Sequence, residues 1–235
     1  MNKLWVVIPA AGESKRFKDQ GYMDPKPLIQ LISKTGEYHC MLGFVYESLF
    51  PIADVDNLVI ALPGGVHLPD TIDDIEHHVV HIQKTLGQAD TIHQALLSLP
   101  SEDSVLIQDC DTILKTKDIQ FLINSLQVYD MTLAITKTLD PNASRVDRVP
   151  FPTRFEEKKP ISEWGIIGVR GFNNIGRLRS ALGKTLDQCM GHGVEPYLSM
   201  AMNEYAGTKF AHKITEYVDL GTPERIKEAG WEILT

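Results

Sequence analysis

Short apolar runs alternate with amphipathic stretches along this chain of 235 residues. Continuous apolar runs are typical of strands buried on both faces of a sheet, and they lie at residues 4–8, 55–62, 79–82, 104–108, 131–136 and 164–169. Apolar residues at helical spacing predict helices at 40–50, 89–99, 117–128, 175–186 and 195–203. A short strand ends at 217–218. A last helix begins at Thr222-Pro223, with threonine as N-cap and proline in the first turn.

Strands that alternate with helices in this way predict an α/β fold built on a mostly parallel sheet. Residues 140–164 differ, because they contain four prolines and many charges, which is typical of a loop with short exposed strands. No linker divides the chain, so we expect one domain over residues 1–235. Residues 1–140 are predicted to form its nucleotide-binding half, and residues 141–235 its acceptor-binding half.

Charge and composition exclude several classes of protein. The formal net charge is −8, and no basic stripe suited to a nucleic-acid backbone is visible. No apolar run approaches the roughly 20 residues needed to span a bilayer, and the apolar start of the chain is too short for a signal peptide. The three cysteines, Cys40, Cys110 and Cys189, are odd in number and far apart. We therefore expect a cytoplasmic protein without a nucleic-acid or membrane partner.

The first strand runs directly into the segment PAAGESKRF at residues 9–17. Small residues at 10–12 allow backbone N–H groups to face an anion, and Arg16 adds a bidentate phosphate donor. A tight strand-to-helix turn with a surface arginine is an equally good interpretation of this segment alone. Soon afterwards, two prolines flank Lys26 and restrict the position of its ammonium group, which favours a clamp on phosphate.

Carboxylates follow two strand ends, where open α/β sheets bind their ligands. Asp109 and Asp111 follow the strand at 104–108, and Asp219 ends the short strand before Gly221. Carboxylates in such a place suit Mg²⁺, which shares phosphate oxygens with its protein ligands. Capping of a turn or helix is the alternative for each of them, and for Asp219 the local pattern favours it.

Taken in order, these segments resemble the signature of the sugar-phosphate nucleotidyltransferases. The resemblance rests on PAAGxSxRF at 9–17, PKPL at 25–28, LGQAD at 86–90, CDT at 110–112, FEEKKP at 155–160 and DLGTPE at 219–224. It is strongest to short members associated with capsular and surface polysaccharide loci. It implies a three-layer α/β/α sandwich of the GT-A-like, Rossmann-related type, with a mixed, mostly parallel sheet.

The resemblance also implies roles for individual residues. Arg16 and Lys26 would be catalytic, Arg16 on the leaving phosphates and Lys26 between the α-phosphate and the attacking phosphate. Asp111 and Asp219 would hold Mg²⁺. The nucleotide would be bound by Ala10, Ala11, Gly12, Glu13, Ser14, Gln83 and Gly87. The acceptor would be bound by Glu157, Lys158, Lys159 and Gly168, and either lysine of the pair satisfies the family pattern.

The predicted substrates are a nucleoside triphosphate and a sugar 1-phosphate or similar phosphorylated acceptor, and the predicted products are a nucleotide-activated compound and pyrophosphate. The base, the acceptor and the oligomeric state stay open, with a homodimer among the alternatives. Two other functions remain. Asp109-Cys110-Asp111 also matches the Asp-x-Asp signature of metal-dependent glycosyltransferases. The substitution of Glu13-Ser14 in the first loop also permits a domain that binds nucleotide without turnover.

Overall fold

The structure is a computed structural model, and it describes residues 2–49, 52, 57–69, 72 and 77–234. Strand β1 (Leu4–Pro9) lies inside the main sheet, and its residues Val6, Val7 and Ile8 are buried, on both faces of that sheet. It pairs in parallel with β4 on one side and β6 on the other, with Val7 opposite Val59 and Ile107. β5 continues the parallel region beyond β4.

Fourteen strands are present in the part of the chain that the structure describes. They are β1 (Leu4–Pro9), β2 (Gln30–Ile32), β3 (Tyr38–Cys40), β4 (Leu58–Pro63), β5 (His78–Ile82), β6 (Ser104–Gln108), β7 (Thr112–Leu114), β8 (Met131–Lys137), β9 (Arg145–Val146), β10 (Phe155–Glu156), β11 (Trp164–Phe172), β12 (Lys209–Lys213), β13 (Tyr217–Asp219) and β14 (Glu232–Ile233).

The helices of the same residues are α1 (Lys15–Lys18), α2 (Met41–Leu49), α3 (Gln88–Leu96), α4 (Thr116–Ser125), α5 (Ile175–Met190), α6 (Leu198–Glu204) and α7 (Pro223–Glu228), with a 3-10 turn at Lys26–Leu28. The predicted strands and helices are all represented, with ends shifted by a few residues. The predicted strand at 55–62 begins at residues 55 and 56, which lie outside the described residues. The same is true of residue 50, the last of the predicted helix at 40–50. The two small sheets, β14-β2-β3 and β13-β7, were not predicted.

The main sheet is mixed. β11 is antiparallel to β6 and to β8, and β12 then pairs in parallel with β8. One face of the sheet packs against α3, α5 and α6, and the other against α2 and α4. The predicted three-layer sandwich with a mixed, mostly parallel sheet is therefore confirmed. Among the described helices, none has both the length and the apolar character needed to cross a bilayer.

Strand β11 is longer than its neighbour β6 and contains an irregularity at Gly168. The register of β11 against β8 shifts between Ile167 and Arg170, and Gly168 has a φ of 54°. Its carbonyl accepts a hydrogen bond of 2.8 Å from the N–H of Asp109, immediately after β6. Beyond this bulge β11 pairs with β9 instead of β6. The sheet therefore opens at the carboxyl end of β6.

Gly168→Ala is expected to lower the free energy of unfolding by about 1–3 kcal/mol, because alanine is strained at this φ and overpacks the site. An added Cβ would lie 2.5 Å from Cδ1 of Leu114 and 2.9 Å from Cγ2 of Thr112. Urea unfolding measures the change. Gly183 of α5 is the matched control, since nothing lies within 4 Å of an added Cβ there. Gly183→Ala is expected to stabilise by about 0.5–1 kcal/mol, and shifts of equal sign would contradict this explanation.

Asp130 joins the start of β8 to two later segments. Its carboxylate accepts hydrogen bonds from the N–H of Thr208 at 2.8 Å and from Nδ2 of Asn173 at 3.1 Å, and it pairs with Arg177 at 2.8 Å. The hydrogen bond from Arg177, followed by that from Thr208, holds the pKa of Asp130 well below its usual range. The native state is therefore stabilised by the ionised carboxylate.

Asp130→Asn is expected to destabilise the protein more at pH 7 than at pH 3. A carboxyl whose pKa is depressed by folding stabilises above its unfolded pKa, about 4, and loses that contribution as the pH falls below it. We expect a difference of about 1 kcal/mol at pH 7, reduced by screening at this half-exposed site. Unfolding of both proteins across this pH range measures it. A difference that does not change with pH would show that ionisation of Asp130 is irrelevant.

Candidate functional site

A cavity of about 680 Å³ opens at the carboxyl end of β6, where the sheet separates. Six carboxylates and three guanidinium groups line it, together with hydroxyl and amide groups. Of the residues singled out in the sequence, those that line it are Arg16, Asp109, Asp111, Glu157, Gly168 and Asp219. The remaining predicted residues are not lining residues of this cavity.

The short ribbon of β7 and β13 brings together two carboxylates that are far apart in sequence. Asp219 lies opposite Thr112 in this ribbon, and the N–H of Leu220 donates to the carbonyl of Asp111 at 2.7 Å. Gly221 leaves space beside both carboxylates: an added Cβ would lie 2.9 Å from Oδ1 of Asp219 and 3.4 Å from Oδ2 of Asp111. Asp111 and Asp219 therefore face one common space.

Lys26 contacts one of these two carboxylates, that of Asp111. Its ammonium group forms an ion pair with Oδ2 of Asp111, and its backbone N–H donates to Oγ of Ser14 at 2.8 Å. The backbone bond ties the lysine segment to the first loop, so both predicted phosphate-binding segments are held together. Ser14 has a φ of 58°, in the left-handed region that favours glycine.

Burial and charge oppose each other at the Lys26–Asp111 pair. Burial is the largest single influence on the pKa of Lys26 and lowers it, but the neighbouring acidic groups, with Asp111 first among them, together outweigh burial and raise the pKa. Burial is likewise the largest influence on the pKa of Asp111 and raises it, but the neighbouring donors and cations, with Lys26 first among them, together lower that pKa. Each group therefore keeps the other ionised. Between the two acidic residues, burial raises the pKa of Cys110 to about 12, so its thiol is protonated at pH 7 and is not a nucleophile.

Each of the other two carboxylates has its own arginine. Arg225 donates to Oδ2 of Asp219 at 2.6 Å, and its other terminal nitrogen pairs with Asp140 on the loop after β8. Arg170, buried in β11, pairs with Asp109, which also accepts from Nε2 of Gln88 at 3.1 Å. Burial raises the pKa of Asp219 and that of Asp109, and their arginines offset part of the rise.

The first loop is only partly free to bind an anion. The N–H of Ala10 donates to the carbonyl of Ala61 at 2.8 Å, so it extends the pairing of β1 with β4. Ala10 and Ala11 are buried, whereas Gly12, Glu13 and Arg16 are exposed. Of this loop, the residues from Gly12 onward are accessible to a ligand.

The two predicted nucleotide-binding residues further along the chain flank the other strand ends. Gln83 follows β5 and lies against Gly64, where an added Cβ would be 2.6 Å from its Oε1. Gly87 has a φ of 151° before α3, and an added Cβ would lie 2.9 Å from the carbonyl oxygen of Pro196. Neither is a lining residue of the cavity, but Gln88, next to Gly87, is one.

The structure distinguishes the two lysines of the acceptor segment. The ammonium group of Lys158 lies 4.4 Å from the ring centroid of Tyr197, a lining residue, whereas Lys159 turns to Glu156 at 3.0 Å. The hydrogen bond with Tyr197 raises the pKa of Lys158. Glu157 points into the cavity and accepts hydrogen bonds from the hydroxyls of Ser144 and Ser199.

Several polar residues of the cavity were not predicted: Gln88, Asp140, Asn142, Arg170, Tyr197, Tyr217 and Arg225. Arg170 did leave a signal, because a charge inside the apolar run of β11 requires a buried partner. Asp140 and Arg225 have no such signal in the sequence, since their pairing depends on where the loop after β8 and the last helix meet.

The acidic residues of the cavity differ in how well they suit the predicted Mg²⁺. Among the described residues, no group of three or more histidine, cysteine or acidic side chains converges as a complete metal site. Mg²⁺ does not need one, because it is typically bound by one or two carboxylates together with substrate phosphates and water. Asp111 and Asp219, which share the space beside Gly221, fit that pattern.

Comparison with known proteins assigns the chain to a family over more than half of its length. A family model described as "MobA-like NTP transferase domain" matches residues 6–147. This match confirms the predicted nucleotidyltransferase class. No curated protein matches the chain significantly in sequence.

Solved structures match nearly the whole chain. A nucleoside-diphosphate-sugar pyrophosphorylase from Vibrio cholerae has a TM-score of 0.72 and 20% identity, covering 95% of this chain and 98% of that one. An inositol-1-phosphate CTP transferase from T. maritima has a TM-score of 0.71 and 16% identity, covering 98% and 96%. A UTP-bound UGPase from Acinetobacter baumannii has a TM-score of 0.71 and 14% identity, covering 97% and 92%. At these identities the likeness shows the shared fold.

A double-mutant cycle on Lys26→Met and Asp111→Asn is expected to give a coupling energy of about 1–3 kcal/mol in unfolding experiments. The pair is well enclosed, so either single change leaves a charge without its partner. The control is the exposed pair of Lys115 and Glu216, where the same cycle is expected to give a coupling near zero. Equal coupling in the two pairs would contradict the enclosure of Lys26.

Proposed function

The chain belongs to the family of MobA-like NTP transferase domains, and from that premise we propose that it transfers a nucleotidyl group from a nucleoside triphosphate to a phosphorylated small acceptor. An oxygen of the acceptor phosphate attacks the α-phosphorus, the bond to the β-phosphate breaks, and pyrophosphate leaves. A phosphate monoester is already anionic at neutral pH, so no general base is needed. The protein contributes position and charge.

One observation carries this proposal: the β7–β13 ribbon places Asp111 and Asp219 side by side, and Lys26 reaches the same space. Two carboxylates and one ammonium group at the carboxyl ends of strands suit a reaction in which two phosphates meet. Asp111 and Asp219 would hold Mg²⁺, which when bound would offset charge on the α-phosphate.

The other residues divide between the two substrates. Lys26 would move from Asp111 to the reacting phosphates, and Arg16 would bind the leaving pyrophosphate. The accessible part of the first loop, from Gly12 to Ser14, would bind the triphosphate, and Gln83 and Gly87 would approach the nucleoside. This assignment rests on position at the strand ends and on the family pattern.

The acceptor would lie on the side formed by the loop after β8 and by β11. Glu157 is oriented by two serine hydroxyls and would accept hydrogen bonds from hydroxyl groups of the acceptor. Lys158 would bind the acceptor phosphate, since its ammonium group lies over Tyr197 at the cavity wall. Gly168 would allow the acceptor to approach the backbone of β11.

A sugar 1-phosphate is the acceptor that this wall supports best, with a nucleotide sugar for surface polysaccharide as the product. The wall presents hydroxyl, amide and carboxylate groups from Thr138, Asn142, Ser144, Glu157 and Tyr217, which suit a polyhydroxy compound. The structural neighbours include a nucleoside-diphosphate-sugar pyrophosphorylase and an inositol-1-phosphate CTP transferase, whose names describe acceptors of this kind.

The glycosyltransferase alternative depends on Asp109 and Asp111 acting together on a metal. Asp109 is occupied by Arg170 and Gln88, whereas Asp111 turns to Lys26 and Asp219. This division favours the partnership of Asp111 with Asp219. A domain that binds triphosphate without turnover would release no pyrophosphate, so an assay of pyrophosphate release distinguishes it from an enzyme.

The test is release of pyrophosphate by purified protein with Mg²⁺, one of CTP, UTP, GTP or dTTP, and one of a panel of sugar 1-phosphates. We expect release that requires one triphosphate and one acceptor together. If no pair releases pyrophosphate although a triphosphate still raises the melting temperature, the fold serves binding alone. Release of free nucleoside diphosphate from a nucleotide sugar would instead support the glycosyltransferase.

Lys26→Ala is expected to reduce kcat about 10²–10³-fold, the usual cost of removing one group that stabilises transition-state charge. The matched control is Lys18→Ala, because Lys18 is exposed, lies in the neighbouring α1 and does not line the cavity. Its kcat is expected to stay within about twofold of the unmodified enzyme, as for a surface substitution. Unchanged turnover in Lys26→Ala would contradict the proposed role.

A further inference from the structure

Both predicted metal ligands are already paired with cations of the chain itself. Lys26 occupies Oδ2 of Asp111, and Arg225 occupies Oδ2 of Asp219 at 2.6 Å. Oδ2 of Asp111 lies beside the space at Gly221, and Asp219 and Arg225 both line the ligand cavity. A divalent cation that enters alone would meet positive charge at both carboxylates.

The ion pair of Lys26 and Asp111 opposes metal binding more strongly than the pair of Arg225 and Asp219. The side chains of Lys26 and Asp111 are only 18% and 22% exposed, so water screens their attraction poorly. A metal ion would have to displace the ammonium group, and Lys26 has no second carboxylate bonded to it among the described contacts. Displacement would therefore leave a largely enclosed ammonium group without a partner, unless an incoming anion takes the place of Asp111.

The second pair is arranged differently. Arg225 contacts Asp140 as well as Asp219. If Asp219 turns to a metal, Arg225 keeps the carboxylate of Asp140 and remains compensated. Asp140 therefore provides an alternative partner that makes release of Asp219 less costly.

We propose that the metal site is closed by Lys26 until a triphosphate arrives, and that Asp140 allows Arg225 to release Asp219 when the metal enters. Metal and nucleotide would then bind together: the phosphates attract Lys26, and Asp111 becomes available. This inference rests on the proposed function for the identity of the metal ligands. The proposal predicts that the affinity for the metal depends on bound nucleotide. It also predicts that Lys26 weakens binding of the metal alone, whereas Asp140 strengthens binding in the presence of nucleotide.

The test uses Mn²⁺ as a probe, with free Mn²⁺ measured by electron paramagnetic resonance and no acceptor present, so that the triphosphate is not consumed. For the unmodified protein we expect weak binding of Mn²⁺ alone and at least about tenfold tighter binding with a triphosphate, since displacement of an enclosed partner lowers apparent affinity. Samples with Mn²⁺ and triphosphate but no protein correct for the binding of metal to nucleotide.

Lys26→Gln is expected to bind Mn²⁺ alone at least about tenfold more tightly than the unmodified protein, because Asp111 is then free. Lys26→Arg keeps the cation and is expected to retain weak binding. The control Lys115→Gln removes a lysine from an exposed ion pair outside the cavity and is expected to change nothing. Circular dichroism and thermal unfolding establish that each variant is folded.

Asp140→Asn is expected to act in the opposite direction and weaken binding of Mn²⁺ in the presence of triphosphate about threefold or more, since Arg225 would stay on Asp219. Asp140 is partly exposed, so this variant tests the inference even if Lys26→Gln does not fold. The same affinity in Lys26→Gln and in the unmodified protein, or no effect of Asp140→Asn, would overturn the inference.

The failure of the proposed function has a different signature. If neither the unmodified protein nor Lys26→Gln binds Mn²⁺ beyond the level of the protein-free samples, with or without a triphosphate, then Asp111 and Asp219 are not ligands of a nucleotide-bound metal. If Mn²⁺ binds the unmodified protein as tightly alone as with a triphosphate, the proposed reaction stands but the closure by Lys26 is wrong.

Discussion

Carboxylates enclosed at the ends of strands require positive charge beside them, and the candidate site is organised by this requirement. An uncompensated carboxylate in such a place would be protonated or would destabilise the fold. Here each acidic side chain pairs with a cation from a different element. Asp109 pairs with Arg170 of β11. Asp111 pairs with Lys26 of the 3-10 turn, and Asp219 pairs with Arg225 of α7. Compensation of charge therefore links the main sheet, the 3-10 turn and the last helix around one cavity.

Much of the fold could be predicted because its strands and helices carry their own periodic signals. The apolar runs that became β1, β6 and β8 are continuous because both faces of the sheet are covered by helices. The N-cap of the last helix was also local, since Thr222 accepts from the N–H of Arg225 three residues later. Of the ribbon, β13 was predicted as a short strand, but β7 and its pairing with β13 were not, because three-residue strands are too short to show a period.

The site was predictable only in part, for a related reason. Lys26, Asp111 and Asp219 stand in segments whose sequence resembles a known family, so that their types and order could be recognised. Arg170 and Arg225 act through partners 61 and 85 positions away, and no local pattern gives such pairings. The loop after β8 is similar: buried Arg145 holds it by donating to the carbonyls of Thr138, Asp140 and Ser162, and its shape follows from those bonds.

The pairing of β7 with β13 has a consequence for the protein as it is synthesised. The main sheet can begin to form from strands that leave the ribosome early, since β1, β4, β5 and β6 all precede residue 109. Asp219 follows Asp111 by more than a hundred positions, and its side chain reaches the shared space only once β13 has paired with β7. A nascent chain that has not reached residue 219 therefore has the parallel part of the sheet but not both carboxylates of the candidate site. On the proposed function, such a chain would have the sheet that receives a triphosphate but would lack one of the two groups that hold the metal.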